Sequence, residues 1–131
     1  MLPASVLSEL QSQGTPTEVQ KWSEKLPVWV AVKLALSLIP VDPELSLADR
    51  EAISLAREMN ALLLMDDRRA RLVATRQAVG TIGTLGILEA AAAKGLISLP
   101  TALERLRATN MFISAELLAQ ALRRDSARRG D

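Results

Sequence analysis

The 131-residue chain contains no cysteine and no histidine. Without cysteine there are no disulfides, no thiolate metal sites and no thiol nucleophile. Without histidine there is no Ser-His-Asp triad, no imidazole general base and no ordinary zinc site. Aromatic side chains are nearly missing, with only Trp22, Trp29 and Phe112. A base-stacking platform for single-stranded nucleic acid is therefore not expected. Long apolar runs are lacking too, since none approaches the roughly 20 residues needed to cross a bilayer. Pro3 and the polar stretch 8–17 interrupt any signal-peptide core. The default expectation is a cytoplasmic protein with no membrane partner. Chemistry must rest on carboxylates, lysine or arginine, hydroxyls, or a metal held by oxygen.

What remains is the composition of a folded domain: 49% hydrophobic and 24% charged residues. The net charge of +1 hides an imbalance. Residues 1–59 carry five basic and eight acidic side chains, and residues 60–131 carry eleven basic and seven acidic. The basic half suits either contact with a polyanion or an ordinary solvated surface.

The chain alternates helical and strand-like patterns. Val6, Leu7 and Leu10 mark one face of a helix over 3–13 that stops at Gly14. Thr15-Pro16-Thr17-Glu18 reads as a helix start, with Thr15 as cap. Val28–Leu36, interrupted only by Lys33, reads as a buried strand. Ser46-Leu47-Ala48-Asp49 has the form of a capping box and opens a helix to about Asn60, with Ala52, Ile53, Ala56 and Met59 on one face. Ala61–Met65 is a short apolar strand, and helix resumes over 67–78. A third strand is expected at 79–82 and a small-residue helix at 83–94. Helices at 100–109 and 114–124 close a single domain reaching residue 125, with 126–131 as a disordered tail. The alternation argues for an α/β fold with a small parallel sheet.

The most informative stretch is Ala61–Arg71. A short apolar run ends in Asp66-Asp67, and a basic helical pattern begins at once. Ligands of α/β sheets bind beyond the carboxyl ends of the strands, and acids there can hold a hard divalent cation against a phosphodiester. Each acid also has a plainer role. Asp49 suits a capping box, Asp66 or Asp67 suits a helix cap, and Glu9 suits an exposed helix surface. The segment 80–86 is rich in glycine, but it lacks the lysine of a Walker loop and the spacing of a dinucleotide fingerprint. Its glycines suit a tight turn and close helix packing.

The order of three segments, Leu47–Ala56, Leu62–Arg71 and Gly83–Leu88, resembles the PIN domain. The ending, Gly95-Leu96-Ile97 and later Met111-Phe112-Ile113-Ser114, resembles it as well. The likeness is to an uncharacterised prokaryotic subgroup related to VapC-type toxin ribonucleases. It implies a helix-rich three-layer α/β/α fold and a ribonuclease that uses Mg²⁺ or Mn²⁺. An RNA substrate and an antitoxin protein as partner are implied with it. Carried over by position, Glu9, Asp49 and Asp67 are the implied catalytic acids, with Glu51 and Asp66 as further metal ligands. For such a nuclease, Arg68, Arg69 and Arg71, which follow the acids directly, are the expected contacts to the RNA backbone. The family's short first strand, ending in an Asp, has no counterpart ahead of Met1-Leu2-Pro3. An upstream start would supply it. Without it, the expectation divides between a metal-dependent nuclease and an inactive binding or assembly module that forms homo-oligomers.

Overall fold

Ser46 starts the central helix of the first half as its capping pattern requires: its hydroxyl accepts the Asp49 N–H at 3.0 Å. The computed structural model describes residues 1–130. It forms a helix-rich α/β protein that divides into two units, one of residues 1–81 and one beginning at Ile82. The first contains β1 (Leu2–Pro3), α1 (Ala4–Leu10), α2 (Thr17–Glu24), β2 (Val32–Lys33), α3 (Leu47–Met59), β3 (Leu63–Leu64) and α4 (Arg68–Arg76). A last short strand, β4 (Thr81–Ile82), runs into the second unit, which contains α5 (Thr84–Ala93), α6 (Leu99–Arg107) and α7 (Ala115–Arg129). No helix among the described residues is long and apolar enough to cross a membrane.

The core of the first unit lies on one face of α3. Ala52, Ile53 and Ala56 meet Ile39, Leu63, Met65, Ala70, Val73, Ala74 and Val79. Alanine at positions 52, 56, 70 and 74 keeps side chains short where elements meet. Ile39 enters this core as part of a loop, so its backbone needs partners. Its N–H donates to the buried Ser54 hydroxyl at 2.9 Å, and its carbonyl accepts the Arg50 Nε–H at 2.7 Å. Asn60 ends α3 in the left-handed region, with φ 50°.

Sheet structure is sparse. Leu2–Pro3 themselves form a two-residue strand parallel to β2, in the register Leu2↔Val32 and Pro3↔Lys33. β3 pairs with β4, and the Leu63 N–H donates to the Gly80 carbonyl at 2.9 Å.

The long buried strand expected at Val28–Leu36 is not formed. Pro27–Val30 closes into a turn, with the Val30 N–H on the Pro27 carbonyl at 3.0 Å. Only Val32–Lys33 pair, because β1 offers just two residues to pair with. The rest of the apolar stretch faces solvent, with Trp29 78% and Leu36 91% exposed. What anchors it is polar. The Leu36 and Ser37 N–H groups donate to the Glu58 carboxylate at 3.1 and 2.9 Å. Those two bonds favour the ionised form and hold the Glu58 carboxyl below its ordinary range. Thr15 also departs from expectation. Pro16 takes the cap position of α2, and the Thr15 hydroxyl donates instead to the Glu9 carbonyl at 2.7 Å.

In the second unit, Ala92, Leu99, Leu103 and Ala121 are buried, flanked by Leu85, Leu88, Leu106, Leu118 and Leu122. Gly86 is there for packing: a Cβ on it would stand 2.8 Å from Ile82 Cγ1. α7 continues through Arg129, past the residue 126 at which a disordered tail is expected from sequence. The cause is Asp125, a buried carboxylate one turn earlier. It accepts bonds from Arg128 and from Arg129, the latter at 2.9 Å, while Arg128 also reaches the Ala92 carbonyl at 3.3 Å.

Candidate functional site

Three of the five candidate acids face one concavity of about 460 Å³ in the first unit: Glu9 from α1, Asp49 from the first turn of α3, and Asp66 just beyond β3. Its floor is apolar, with Leu2, Val6, Ala52, Leu55 and Leu63 among the lining residues. The placement follows from local structure. Asp49 is the third residue of a helix started by Ser46, and Asp66 lies two residues beyond the strand that carries Leu63 into the core.

Asp49 does not complete the capping box. The Ser46 hydroxyl accepts its N–H, but no bond returns from the Ser46 N–H to its carboxylate. Among the described residues, the carboxylates of Asp49 and Glu9 have no protein hydrogen bond. These are two charged groups turned into a concavity and left to solvent.

The other two acids are committed elsewhere. Asp67 is the cap of α4, its Oδ2 accepting the Ala70 N–H at 2.8 Å, and it does not line the concavity. Glu51 is buried and turned toward α1, where its carboxylate accepts the Ser5 hydroxyl and, at 3.4 Å, the Ser5 N–H. It ties α1 to α3 and has no exposure to the acid-lined space. The signal for Asp67 was already in the sequence, since a cap side chain bonds the N–H three residues on, here Ala70. Asp66, one residue earlier, is the acid of the pair that lines the concavity.

The three arginines also separate. Arg69 pairs with Asp42 at 2.8 Å and with Glu44 at 3.0 Å. Asp42 also accepts the Glu44 N–H, and with Arg69 this holds its carboxyl below the ordinary range. The Asp42 bond in turn raises the Arg69 guanidinium. Arg69 therefore staples the 42–44 loop to α4. Arg68 and Arg71 make no ion pair among the described residues. They line a second concavity of about 470 Å³ with Asp66, Leu72, Thr75 and Thr81. Neither threonine stands out from sequence. Thr75 is recoverable as four residues beyond Arg71 on the same helical face, whereas Thr81 is brought by the chain's return.

All three facing acids offer hard oxygen donors, the ligand class that Mg²⁺ and Mn²⁺ take. Among the described residues no group of three or more Asp or Glu is close enough to enclose an ion. A Mg²⁺ site does not require such a cage. The ion keeps several waters and is commonly held by one or two carboxylates together with substrate phosphate. The donor set fits a cation shared with a phosphate and not a closed structural metal site. In the second unit, a concavity of about 570 Å³ is lined by Thr84, Leu88, Ser98, Thr101 and Arg105 among others, with no carboxylate, and it offers none of this chemistry.

A family model described as a PIN domain matches residues 1–127. No curated protein and no solved structure matches the chain.

Proposed function

The chain belongs to the PIN domain family, and on that premise we propose that it is a nuclease that hydrolyses phosphodiester bonds of RNA with Mg²⁺ or Mn²⁺. PIN domains use divalent metals and have nuclease-type function. The observation that carries the proposal is the shared concavity of Glu9, Asp49 and Asp66, with the Asp49 and Glu9 carboxylates left without a protein partner. A helix surface would more readily bear such acids apart and fully solvated. Here they converge on one space at a strand end, where like charges favour a cation.

In this reading Asp49 and Asp66 would hold the cation and Glu9 would hold one of its waters. When bound, such an ion lowers the pKa of an attached water and offsets charge at the phosphate. The chain's own contribution is position. α3 fixes Asp49 through the Ser46 cap, and β3 fixes Asp66 through the buried Leu63. Asp67 and Glu51 hold helices in place. The purified protein is expected to cleave single-stranded RNA with Mn²⁺ and to stop when EDTA is added. No cleavage with either ion, together with no Mn²⁺ binding by calorimetry, would refute the proposal.

A second reading rests on a different observation. Between Val28 and Val41 the only charge is Lys33, and Val28, Trp29, Leu34, Leu36 and Val41 are all well exposed. An exposed apolar strip of this kind marks an interaction surface. We propose a second copy of the chain as the occupant. The strip has almost no charge to select a differently charged partner, and a largely unpaired segment can meet its own copy about a two-fold axis. Light scattering is expected to give a dimer, shifted to monomer by Leu36→Glu. A monomer at every concentration would rule this out.

A further inference from the structure

The acid-lined concavity and the arginine-lined concavity share a residue, Asp66. The two spaces therefore adjoin, with opposite chemistry on either side of one carboxylate. On one side are Asp49 and Glu9. On the other are Arg68 and Arg71, one turn apart on α4, and the Thr81 hydroxyl. Thr75, whose hydroxyl donates to the Arg71 carbonyl at 3.0 Å, is part of the same wall. No aromatic side chain lines either space.

We propose that Arg68, Arg71 and Thr81 form a phosphate subsite that seats a phosphate group of single-stranded RNA next to the one at the acids. The inference rests on the nuclease reading for what lies at the acids, but its own chemistry is independent of any metal. A phosphate placed against Glu9 and Asp49 is repelled unless a cation intervenes. One placed against two guanidiniums is attracted directly and can be gripped in a forked, bidentate manner. The change of sign at Asp66 thus sorts two neighbouring phosphates of one strand, one requiring an ion and one not. With no aromatic surface to stack a base, recognition at the subsite is of the backbone. Binding is then expected to be strongly salt-dependent and to tolerate any base. Arg69, adjacent in sequence, takes no part, because Asp42 and Glu44 already hold it.

The test is binding of a fluorescent single-stranded oligoribonucleotide by the full chain in EDTA, followed by anisotropy between about 50 and 200 mM salt. Each phosphate contact to a single strand contributes about 0.7 to the slope of log affinity against log salt. Arg68→Ala and Arg71→Ala are each expected to reduce the slope by about 0.7. Arg69→Ala, checked for folding by thermal melting, is expected to leave it unchanged. Slopes unaltered by Arg68→Ala and Arg71→Ala, or reduced equally by Arg69→Ala, would overturn the subsite, as would a wild-type chain that fails to bind. Oligonucleotides with a 5′-phosphate and a 5′-hydroxyl distinguish the source. Equal affinity assigns the subsite to an internal phosphodiester, and loss with the 5′-hydroxyl assigns it to a terminal phosphate. A protein that cleaves RNA but fails the slope test loses only the subsite. One that passes it but never cleaves loses only the nuclease reading.

Discussion

Asp49→Asn is expected to lower Mn²⁺-dependent RNA cleavage by about 100-fold or more, while Asp67→Asn leaves it within about twofold of wild type. The first estimate is a lower bound from metalloenzymes generally, where loss of a group that merely supports a metal ligand costs about 10–100-fold. Asp49 would itself be the ligand, and its carboxylate has no protein bond whose loss would disturb the fold. The second follows from the capping role of Asp67, whose Oδ2 accepts the Ala70 N–H at 2.8 Å. Asn caps a helix about as well as Asp, so α4 keeps its start. Initial rates at saturating Mn²⁺, with melting curves to show both variants folded, check the pair. The contrast is the informative part. Adjacent acids beyond a strand are alike on paper, and the geometry puts Asp66 in the lining of the concavity and Asp67 at the helix cap. Equal loss of activity in both variants would return Asp67 to the site.

The second large effect concerns the helix that carries Asp49. Ile53, one turn further along α3, is 0% exposed and sits among Ile39, Leu63, Val73 and Val79. Ile53→Ala is expected to destabilise the protein by about 2–5 kcal/mol, combining lost apolar transfer with a cavity the surrounding alanines cannot fill. Ala52, Ala56, Ala70 and Ala74 have no side-chain reach with which to relax into the space. Leu47→Ala, on the same helix but 60% exposed, is expected to change stability by about 0.5 kcal/mol or less. Urea unfolding, read as a shifted midpoint at constant slope, measures both. A small effect for Ile53→Ala would mean that the α3 face is not the anchor of the first unit.

Much of this arrangement was legible in the residues. The span of α3, its Ser46 cap and its buried face follow from a capping pattern and a helical period, which are local properties. The glycine at 86 was readable as a packing position and not a phosphate loop, and Ile82 lies against it. Family membership was readable from the order of short segments, because that order survives when individual residues change. The strand at 28–36 misled for an equally physical reason. β-branched composition says what a segment prefers when it has neighbours to pair with and a face to bury. Composition cannot say how many residues the neighbour supplies, and β1 supplies two.

The sequence by itself determined which chemistry is open to this protein. With no histidine and no cysteine, only carboxylates, hydroxyls and basic side chains remain, and their strand-end placement pointed to a hard cation. Tertiary structure alone decided which of those groups line a common space. Glu9, Asp49 and Asp66 come from three elements separated by tens of residues, and nothing local requires them to face one space. The same folding withdrew Glu51 to Ser5, Asp67 to Ala70 and Arg69 to Asp42 and Glu44. Whether a carboxylate caps a helix, ties two helices together or lines an open space is set by its neighbours in the fold. That depends on distance in space, which a sequence does not contain.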